Sequence, residues 1–390
     1  MEYESASSTA QRLGVTARAV QKWAKEGKIP GAKQMGRQWL IPAGTKGPQA
    51  VCNNQVDLCV HPVMPLLSNT FVPGSCRKLI ESFQDSDDRA IAEAEYCYYR
   101  GNTDKAMEIL EPYLDSYDYG LRLSANFIYT FASLKSCKSH LVRFSLANTE
   151  KCVKSALEIN DSPKLRAFAV FVGTATVVLL HREIGGLPAL ESVMAELPEG
   201  LRLFSAYIIA HRLYLNKEYN RAIGVADICL AMRQGDFPVA SLYLKLIKSV
   251  CYMALKESVN AKKSFNDINR IALREKFYQP FVEHHGLLQG IIEAELKSDF
   301  KESYSDIVSQ VRDFSTGWRM LHNEITNSKV TVNLSANEFV VAMLFNRGWS
   351  VKEIAAHLEI STRMVKHHLS VTYEKLDVSN REELGQYLLK

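Results

Sequence analysis

The chain contains 390 residues, 47% of them hydrophobic and 23% charged, and carries a formal net charge of +4. It opens on no apolar signal segment, and its most apolar run, the fourteen residues from Ala167 to Leu180, is too short to cross a bilayer and is predicted to be a buried helix. These features argue against a membrane protein. They predict a soluble, cytoplasmic protein without a membrane partner.

The sequence also lacks common signatures of catalysis. It contains no Gly-x-x-x-x-Gly-Lys-[Ser/Thr] phosphate loop, no Gly-x-Ser-x-Gly elbow and no His-Glu-x-x-His pair. The adjacent His284 and His285 are predicted on one helix, where their side chains would point about 100° apart and make poor joint ligands. We therefore predict no catalytic residue, no cofactor and no enzymatic activity.

The first forty residues predict two helices joined by a short turn. Ser8-Thr-Ala-Gln11 fits a capping box, Gly14 permits the turn, and Thr16 can cap a second helix that runs through Glu26 and stops at Gly27. The inward residues are Ala10 and Leu13 on the first helix and Val20, Trp23 and Ala24 on the second. The second helix turns outward four side chains of the types that contact nucleic acid: Arg18, Gln21, Lys22 and Lys25.

A β-hairpin wing is predicted next, because Lys33–Ile41 consists of two short extended pieces around Gly36. Arg37 would then lie near phosphates or in a minor groove. The whole stretch resembles the winged helix-turn-helix of the MerR and excisionase families. The resemblance is carried by Thr9-Ala-Gln-Arg-Leu-Gly-Val-Thr16, Gly27-Lys-Ile-Pro30 and Gly36-Arg-Gln-Trp-Leu-Ile-Pro42.

Positive charge is concentrated in residues 1–48, which hold eight Lys or Arg against three Glu, a net of +5 compared with +4 for the whole chain. Electrostatic attraction to DNA phosphates is therefore expected here. The alternative is a small basic domain that docks on another part of the protein or on a partner.

From Ala43 to Cys76 the sequence is rich in Pro, Gly and Asn and lacks periodicity, which indicates a partly packed linker at residues 49–76. Its Cys52, Cys59, His61 and Cys76 include no Cys-x-x-Cys pair and have the spacing of no common zinc site, so no metal site is predicted.

Residues 77–328 show no strand alternation and are predicted to be helical. Four segments share one arrangement, in which an apolar helix ends, a short polar turn follows and a small residue opens the next helix: Tyr98–Ala106, Tyr214–Ala222, Met253–Ala261 and Leu296–Ser303. The last three recur at about forty residues, which resembles tetratricopeptide-type helical hairpins of ~34 residues. Such a stack leaves a concave surface for a peptide or protein partner, and predicts a sensing or assembly role. The alternative is a non-repetitive helical bundle.

Residues 331–390 predict four helices. Capping boxes are expected at Ser335-Ala-Asn-Glu338, Ser350-Val-Lys-Glu353 and Ser379-Asn-Arg-Glu382, and Ser361 can cap a fourth helix after the tight turn Glu359-Ile360. The inward face of this last-named helix carries Val365, Leu369, Thr372, Tyr373 and Leu376. Its outward face carries Arg363, Lys366, His367 and Ser370. Two helices joined so tightly, with a basic outward face on the second, are typical of a helix-turn-helix that enters a major groove.

The segment from Leu334 to Leu389 resembles the LuxR-type four-helix DNA-binding domain. The resemblance rests on Leu334-Ser-Ala-Asn-Glu338, Gly348-Trp-Ser-Val-Lys-Glu-Ile-Ala355, Ile360-Ser-Thr-Arg-Met-Val-Lys-His-His-Leu-Ser370 and Lys375-Leu-Asp-Val-Ser-Asn-Arg381. In that family the positions matching Lys366, His367 and Ser370 face base edges. Those matching Lys352, Arg363 and Lys375 lie near the DNA backbone.

Two positions depart from the LuxR pattern. Met364 replaces the usual Thr, which puts one phosphate hydrogen bond in doubt, and Asp377 replaces Gly at a position where Asp tolerates a left-handed backbone. The segment 331–390 holds seven Lys or Arg against seven Asp or Glu, so its positive charge is local to the recognition helix. The alternative for His367 and His368 is a pair of solvated surface residues.

We therefore predict a mainly α protein, with a helical-repeat core at 77–328 between helix-turn-helix modules at 1–48 and 331–390. The resemblances imply a bacterial transcription regulator that binds double-stranded DNA. A homodimer is one candidate assembly, since dimerisation would add half-sites. The alternative functions are a helical-repeat interaction scaffold and an excisionase-like recombination accessory protein.

Overall fold

The computed structural model describes residues 3–13, 15–27, 29–36, 38–45, 58–136, 138–159, 162–326 and 334–388. Within them lie twenty α-helices and one three-stranded antiparallel sheet, which confirms the prediction of a mainly α fold with an N-terminal hairpin. The chain divides into two compact units. The first comprises the chain up to Leu58 together with Asp115–Tyr117, and the second comprises Cys59–Leu114 and the chain from Asp118 onward.

The N-terminal unit contains β1 (Tyr3–Ser5), α1 (Ala6–Leu13), α2 (Ala17–Lys25), β2 (Lys33–Met35) and β3 (Gln38–Pro42). The strand order is β1-β3-β2. The antiparallel pair of β2 and β3 confirms the predicted hairpin, and β1 pairs with the free edge of β3. A small apolar core holds the helices to the sheet: Ala6, Ala10, Val20, Trp23, Ala24, Ile29 and Ile41. The predicted inward face of α2 is therefore confirmed, whereas the side chain of Leu13 and Gly14 lie outside the described residues.

The start of α1 differs from the prediction. Ser8 lies inside the helix, and the Ser5 hydroxyl accepts the Ser8 N–H at 3.1 Å near the helix start. A Ser-rich run offers several candidate caps, and the pairing of Tyr3–Ser5 with β3 fixes which one opens the helix. Thr16 does cap α2, as predicted, by accepting the N–H of Ala19 at 3.2 Å.

The larger unit contains α-helices and their connections, and no strand lies among its described residues. Its helices are α3 (Pro65–Ser68), α4 (Cys76–Ser82), α5 (Ser86–Tyr99), α6 (Thr103–Leu110), α7 (Tyr119–Leu134), α8 (Ser139–Leu157), α9 (Pro163–Leu180), α10 (Glu199–Leu215), α11 (Tyr219–Met232), α12 (Pro238–Ala254), α13 (Ser258–Glu275), α14 (Gln279–Leu288), α15 (Ile291–Leu296), α16 (Lys301–Thr326), α17 (Ala336–Asn346), α18 (Val351–Leu358), α19 (Thr362–Leu376) and α20 (Arg381–Leu384). The four predicted helix junctions fall between α5 and α6, α10 and α11, α12 and α13, and α15 and α16.

Three of these junctions share one backbone geometry. A residue with positive φ follows each first helix: Gly101 (82°), Lys217 (63°) and Lys256 (63°). The N–H of the next residue then bonds the carbonyl five positions back, as when Asn102 donates to Cys97 at 2.8 Å and Glu257 to Tyr252 at 2.8 Å. This double-bonded turn satisfies the last carbonyls of the first helix. The fourth junction, after α15, has a different turn, in which Phe300 donates to the Leu296 carbonyl at 2.9 Å.

Six helices pack in a closed ring. Each helix contacts the next in the order α5, α7, α9, α10, α12 and α14, and α14 contacts α5 to close the ring. We call these six the helix ring. The intervening helices α6, α8, α11 and α13 each pack against the preceding member of the ring in sequence. Hairpins of adjacent helices thus surround a common interior.

The interior of the ring holds part of the segment that we predicted as a linker. Helix α3 packs against α5, α10 and α12, and Val63, Leu66 and Leu67 are almost fully buried. The Glu95 carboxylate accepts the N–H groups of Leu66 and Leu67 at 2.7 and 3.0 Å, although its burial raises the pKa of Glu95 to about 8. Helix α3 has only four residues and begins with a proline, so the sequence shows no helical periodicity there.

The most apolar run forms a buried helix, as predicted, although α9 begins at Pro163 rather than at Ala167. By length and composition α9 could cross a membrane, with a mean hydropathy of 1.5. However, 67% of it is buried inside the protein, where Phe168 and Phe171 are almost fully covered. We therefore assign α9 to the core.

Candidate nucleic-acid interface

Helix α19 is the predicted recognition helix of the C-terminal module. Ser361 caps it by accepting the N–H of Met364 at 3.1 Å, and Glu359 makes the tight turn before it with a φ of 56°. The inward face is buried as predicted at Val365, Leu369, Thr372 and Leu376, while Tyr373 is half-buried. Because this face fixes the rotation of α19, the opposite face is presented outward.

The outward face brings the predicted reader residues together on the surface. The exposed side chains are Arg363, Lys366, His367 and Ser370, and Lys352 is exposed on the first turn of α18. Met364, which replaces the usual Thr, is 45% exposed on the same helix. Partial burial and the neighbouring His367 lower the pKa of His368. An exposed row of two cations, an imidazole and a hydroxyl can contact both phosphates and base edges.

Lys375 differs from the other predicted contacts because it has a partner within the module. Its ammonium group bonds both carboxylate oxygens of Glu338, at 3.0 and 2.8 Å. Burial opposes ionisation of Glu338, but the bonds from Lys375 and Ser335 outweigh burial and lower the pKa of Glu338. Lys375 therefore ties α19 to the start of α17.

Caps fix the ends of the other helices in the module. The capping boxes at Ser335 and Ser350 are confirmed, with Glu338 and Glu353 reaching back to the cap residues. The predicted box at Ser379 is displaced by one residue. Asn380 caps α20 and accepts the N–H of Glu383 at 2.8 Å, while the Ser379 N–H bonds the Glu383 side chain. Asp377 adopts the left-handed conformation expected of it, with a φ of 52°.

The module is docked on the helical core through surfaces other than the reader face. Helix α17 packs against α14, and α18 packs against α15, in the same way as α12 packs against α14 and α13 against α15. The turn between α17 and α18 repeats the geometry of the core turns, with Gly348 at a φ of 87° and the Trp349 N–H bonded to the Leu344 carbonyl at 3.1 Å.

Polar and apolar contacts both hold this docking. The Lys256 ammonium donates to the Gly348 carbonyl at 2.7 Å, and Arg347 donates to the Tyr214 hydroxyl. The guanidinium of Arg319 lies 5.1 Å from the centre of the Phe339 ring. Gly286 leaves room for that ring, since a Cβ there would lie 2.9 Å from it. These residues were not predicted as functional.

One signal in the sequence could have revealed the docking. From Phe339 to Leu344 every side chain of α17 is apolar, and all of them are buried. A helix that is apolar on all sides must be covered on all sides. Phe339, Ala342 and Met343 face the core of the module, while Val340, Val341 and Leu344 join the large core cluster.

In the N-terminal unit, helix α2 presents the four predicted outward side chains. Arg18, Gln21, Lys22 and Lys25 are all exposed and lie on one side of the helix. Lys22 is within 4.0 Å of Glu26, a surface ion pair that leaves its ammonium group in solvent. The hairpin between β2 and β3 carries Met35, 71% exposed, next to Gly36. Arg37 lies outside the described residues.

Of the cysteines in the predicted linker, the described Cys59 and Cys76 form no metal-ligand group with His61. The buried Cys59 thiol donates to the His61 carbonyl at 3.7 Å, whereas the His61 ring bonds Asp88 at 2.8 Å. Within the described part of the chain, His61, Asp85 and Asp87 are the one group of three close enough to share an ion, and it includes no thiol. Cys52 lies outside the described residues. His284 and His285 bond separate partners, Tyr207 and Glu293, as expected for adjacent helical positions.

Comparison with known families supports a helix-turn-helix module near each end of the chain. Residues 332–388 match the bacterial regulatory proteins of the luxR family, and residues 6–44 match a helix-turn-helix domain. No curated protein and no solved structure matches the chain. Both matched families bind double-stranded DNA through helix-turn-helix folds. The protein is a DNA-binding regulator with a helix-turn-helix module at each end.

Proposed function

We propose that the protein is a sequence-specific transcription regulator that uses both helix-turn-helix modules to read DNA. One observation carries this proposal: the outward face of α19 is exposed, while α17 and α18 of the same module pack against the helical core. Because α17 and α18 are fixed on the core, α19 would enter a major groove in a fixed orientation. We assign base contacts to Lys366, His367 and Ser370, and phosphate contacts to Arg363 and Lys352.

The N-terminal module is proposed to be a second, MerR- or excisionase-like reader. Its base contacts would come from Arg18, Gln21 and Lys22, with Lys25 and Arg37 on phosphates. Its net charge of +5 gives it the stronger non-specific attraction to DNA. The C-terminal module, with balanced charge, would then contribute more to sequence choice than to total affinity.

We further propose that the middle of the chain is a tetratricopeptide-like array that senses a ligand or partner, and that the C-terminal module continues it. Support comes from the turns at Gly101, Lys217, Lys256 and Gly348, which share one geometry. The hairpins α12–α13, α14–α15 and α17–α18 also pack with first helix on first helix and second on second. In this proposal the array includes Cys59–Cys76. The regulator is proposed to act in the cytoplasm as a homodimer and to have no enzymatic activity.

Titration of the full-length protein against pooled genomic fragments, at several salt concentrations, tests the proposal. We expect saturable, salt-sensitive binding that enriches promoter fragments. Lys366→Ala should lower specific binding by ~1–3 kcal/mol if it reads a base, while Arg18→Ala should do so on sites that engage the N-terminal module.

The other outcomes identify the alternatives. Absence of salt-sensitive binding would contradict the regulator and leave an interaction scaffold. Enrichment of recombination attachment sites over promoters would favour an accessory role in recombination. Unchanged affinity and preference in Lys366→Ala would remove that residue from the reader set.

A further inference from the structure

An aromatic cavity lies inside the helix ring. It has a volume of about 30 Å³ and receives side chains from each of α5, α7, α9, α10, α12 and α14. Six of its wall residues are aromatic: Tyr98, Tyr99, Phe127, Phe131, Phe204 and Tyr243. Phe131 and Leu179 are half-buried and therefore mark the side nearest to solvent, whereas Tyr99 and Tyr243 are buried.

One carboxylate faces this aromatic wall. Glu283 of α14 accepts hydrogen bonds from the hydroxyls of Tyr98 and, at 2.9 Å, Tyr243. A carboxylate offers about four acceptor positions, and Tyr98, Tyr243 and the neighbouring Gln279 side chain account for three, so one remains for a further N–H donor. Burial raises the pKa of Glu283 to about 7, while hydrogen bonds from Tyr98, Tyr243 and Gln279 hold that pKa down.

Among the described residues, no basic side chain lines the cavity to balance this carboxylate. The nearby His284 is committed to Tyr207 and to the Pro280 carbonyl, and burial lowers the pKa of His284 to about 4 and that of His211 to about 3. Both imidazoles are therefore neutral. A carboxylate among aromatic faces, without a cation, is chemically complementary to an ammonium group, because ring faces and carboxylate both attract positive charge.

We propose that this cavity binds a small aliphatic ammonium ion, with the ammonium group on Glu283 and the alkyl part against the aromatic rings. A volume of about 30 Å³ restricts the ligand to about two heavy atoms, as in methylammonium. The proposal deepens the sensing role of the core and rests on that proposed function only for its regulatory meaning. Binding itself can be measured without DNA.

The position of Glu283 gives the ligand a direct route to the DNA-binding module. Helix α14 carries Glu283 on the cavity side and, one turn later, Gly286 against Phe339 of α17. Helix α16 passes near the solvent side, where the indole N–H of Trp318 donates to the Leu179 carbonyl at 3.4 Å. A shift of α14 on binding would therefore move a contact of the C-terminal module.

Calorimetric titration of the full-length protein with methylammonium chloride tests the site, with methanol as the uncharged ligand of equal size. A pH of about 8 lies above the pKa of about 7 for Glu283 and below the pKa of an alkyl ammonium group, so it favours the carboxylate and the protonated amine. We expect the amine to bind about tenfold tighter than the alcohol or more, a difference of the size that charge-assisted hydrogen bonds provide. Glu283→Gln should abolish that preference, whereas Glu196→Gln, which removes an exposed carboxylate, should preserve it.

Equal affinity for amine and alcohol, no binding of either, or retained preference in Glu283→Gln would overturn the proposal. If Glu283→Gln does not fold, Phe131→Leu decides, because it removes one ring at a half-buried position and should weaken amine binding while the fold is kept. Unchanged amine affinity in Phe131→Leu would then count against the site. Repeating the DNA titration with and without the amine tests the regulatory role separately, so failure there leaves the site itself standing.

Discussion

The imidazole of His357 donates its Nε2–H to the main-chain carbonyl of Gln289, over 2.9 Å. This bond joins α18 of the C-terminal module to the turn between α14 and α15 of the core. The ring is buried, and burial lowers the pKa of His357 although the bond to Gln289 partly opposes this effect. The docked histidine is therefore neutral, and its protonation opposes docking.

Acidification should loosen the docking of the C-terminal module. The docked pKa of His357 lies below its ordinary value of 6.5, so undocking takes up a proton, and docking is weakened as the pH falls below 6.5. Lys262 adds to this effect, whereas Glu293 and Glu295 oppose it by favouring the charged ring. Amide hydrogen exchange of Val351–Leu358, corrected for intrinsic rates, should show lower protection below that pH.

His357→Gln is the matched control for this pH effect. Glutamine can donate an N–H to the Gln289 carbonyl but does not titrate. Protection of α18 should therefore become nearly independent of pH in the variant. If wild type and variant lose protection in parallel, another group controls the docking.

Gly290→Ala should destabilise the same interface. Gly290 has a φ of 87°, and an added Cβ would lie 2.1 Å from Leu358 of α18. Backbone strain and overpacking together predict a loss of ~1–3 kcal/mol in the free energy of unfolding. Urea denaturation followed by circular dichroism measures it.

Gly224 of α11 offers the opposite case within the same core. Nothing lies within 4 Å of a Cβ built there, so Gly224→Ala should stabilise its helix by ~0.5–1 kcal/mol. Equal effects of the two substitutions would show that the close approach to Leu358 does not matter energetically.

The sequence predicted those parts of the fold that depend on local signals. Caps at Thr16, Ser335, Ser350 and Ser361, and the faces of α2 and α19, follow from side chains within one or two turns of the chain. The turns at Gly101, Lys217 and Lys256 were likewise predicted as short polar segments between helices, although their backbone geometry was not. The outward and inward faces of α2 and α19 could therefore be predicted residue by residue from the sequence alone.

Long-range packing accounts for what was missed. The bond between His357 and Gln289 joins residues far apart in the chain, and no local pattern encodes it. Glu338 was expected as half of a capping box, but its second role, the ion pair with Lys375, appears only when α17 and α19 cross. Likewise, α3 is too short for periodicity and is defined by the ring that encloses it.

The displaced cap of α20 gives a local test. Asn380→Ala should cost ~0.5–2 kcal/mol, because it leaves the Glu383 N–H without its side-chain acceptor. Ser379→Ala removes only an exposed hydroxyl contact with Glu383, 3.1 Å long, and should cost less. Thermal denaturation of the two variants compares them directly. A larger loss for Ser379→Ala would restore the cap position predicted from the sequence.

Salt dependence of DNA binding should separate Lys375 from Lys352, two lysines that the LuxR resemblance places near the DNA backbone. Each phosphate contact contributes about one to the slope of log affinity against log salt concentration. Lys352 is exposed, so Lys352→Ala should lower the slope by about one. Lys375 is bound to Glu338, so Lys375→Ala should leave the slope nearly unchanged and instead destabilise the module by at most ~1 kcal/mol, the usual limit for a pair this exposed.

Fluorescence titration at four salt concentrations measures both slopes. If Lys375→Ala lowers the slope as much as Lys352→Ala does, Lys375 leaves Glu338 for a phosphate when DNA binds, and the ion pair belongs to the unbound protein alone.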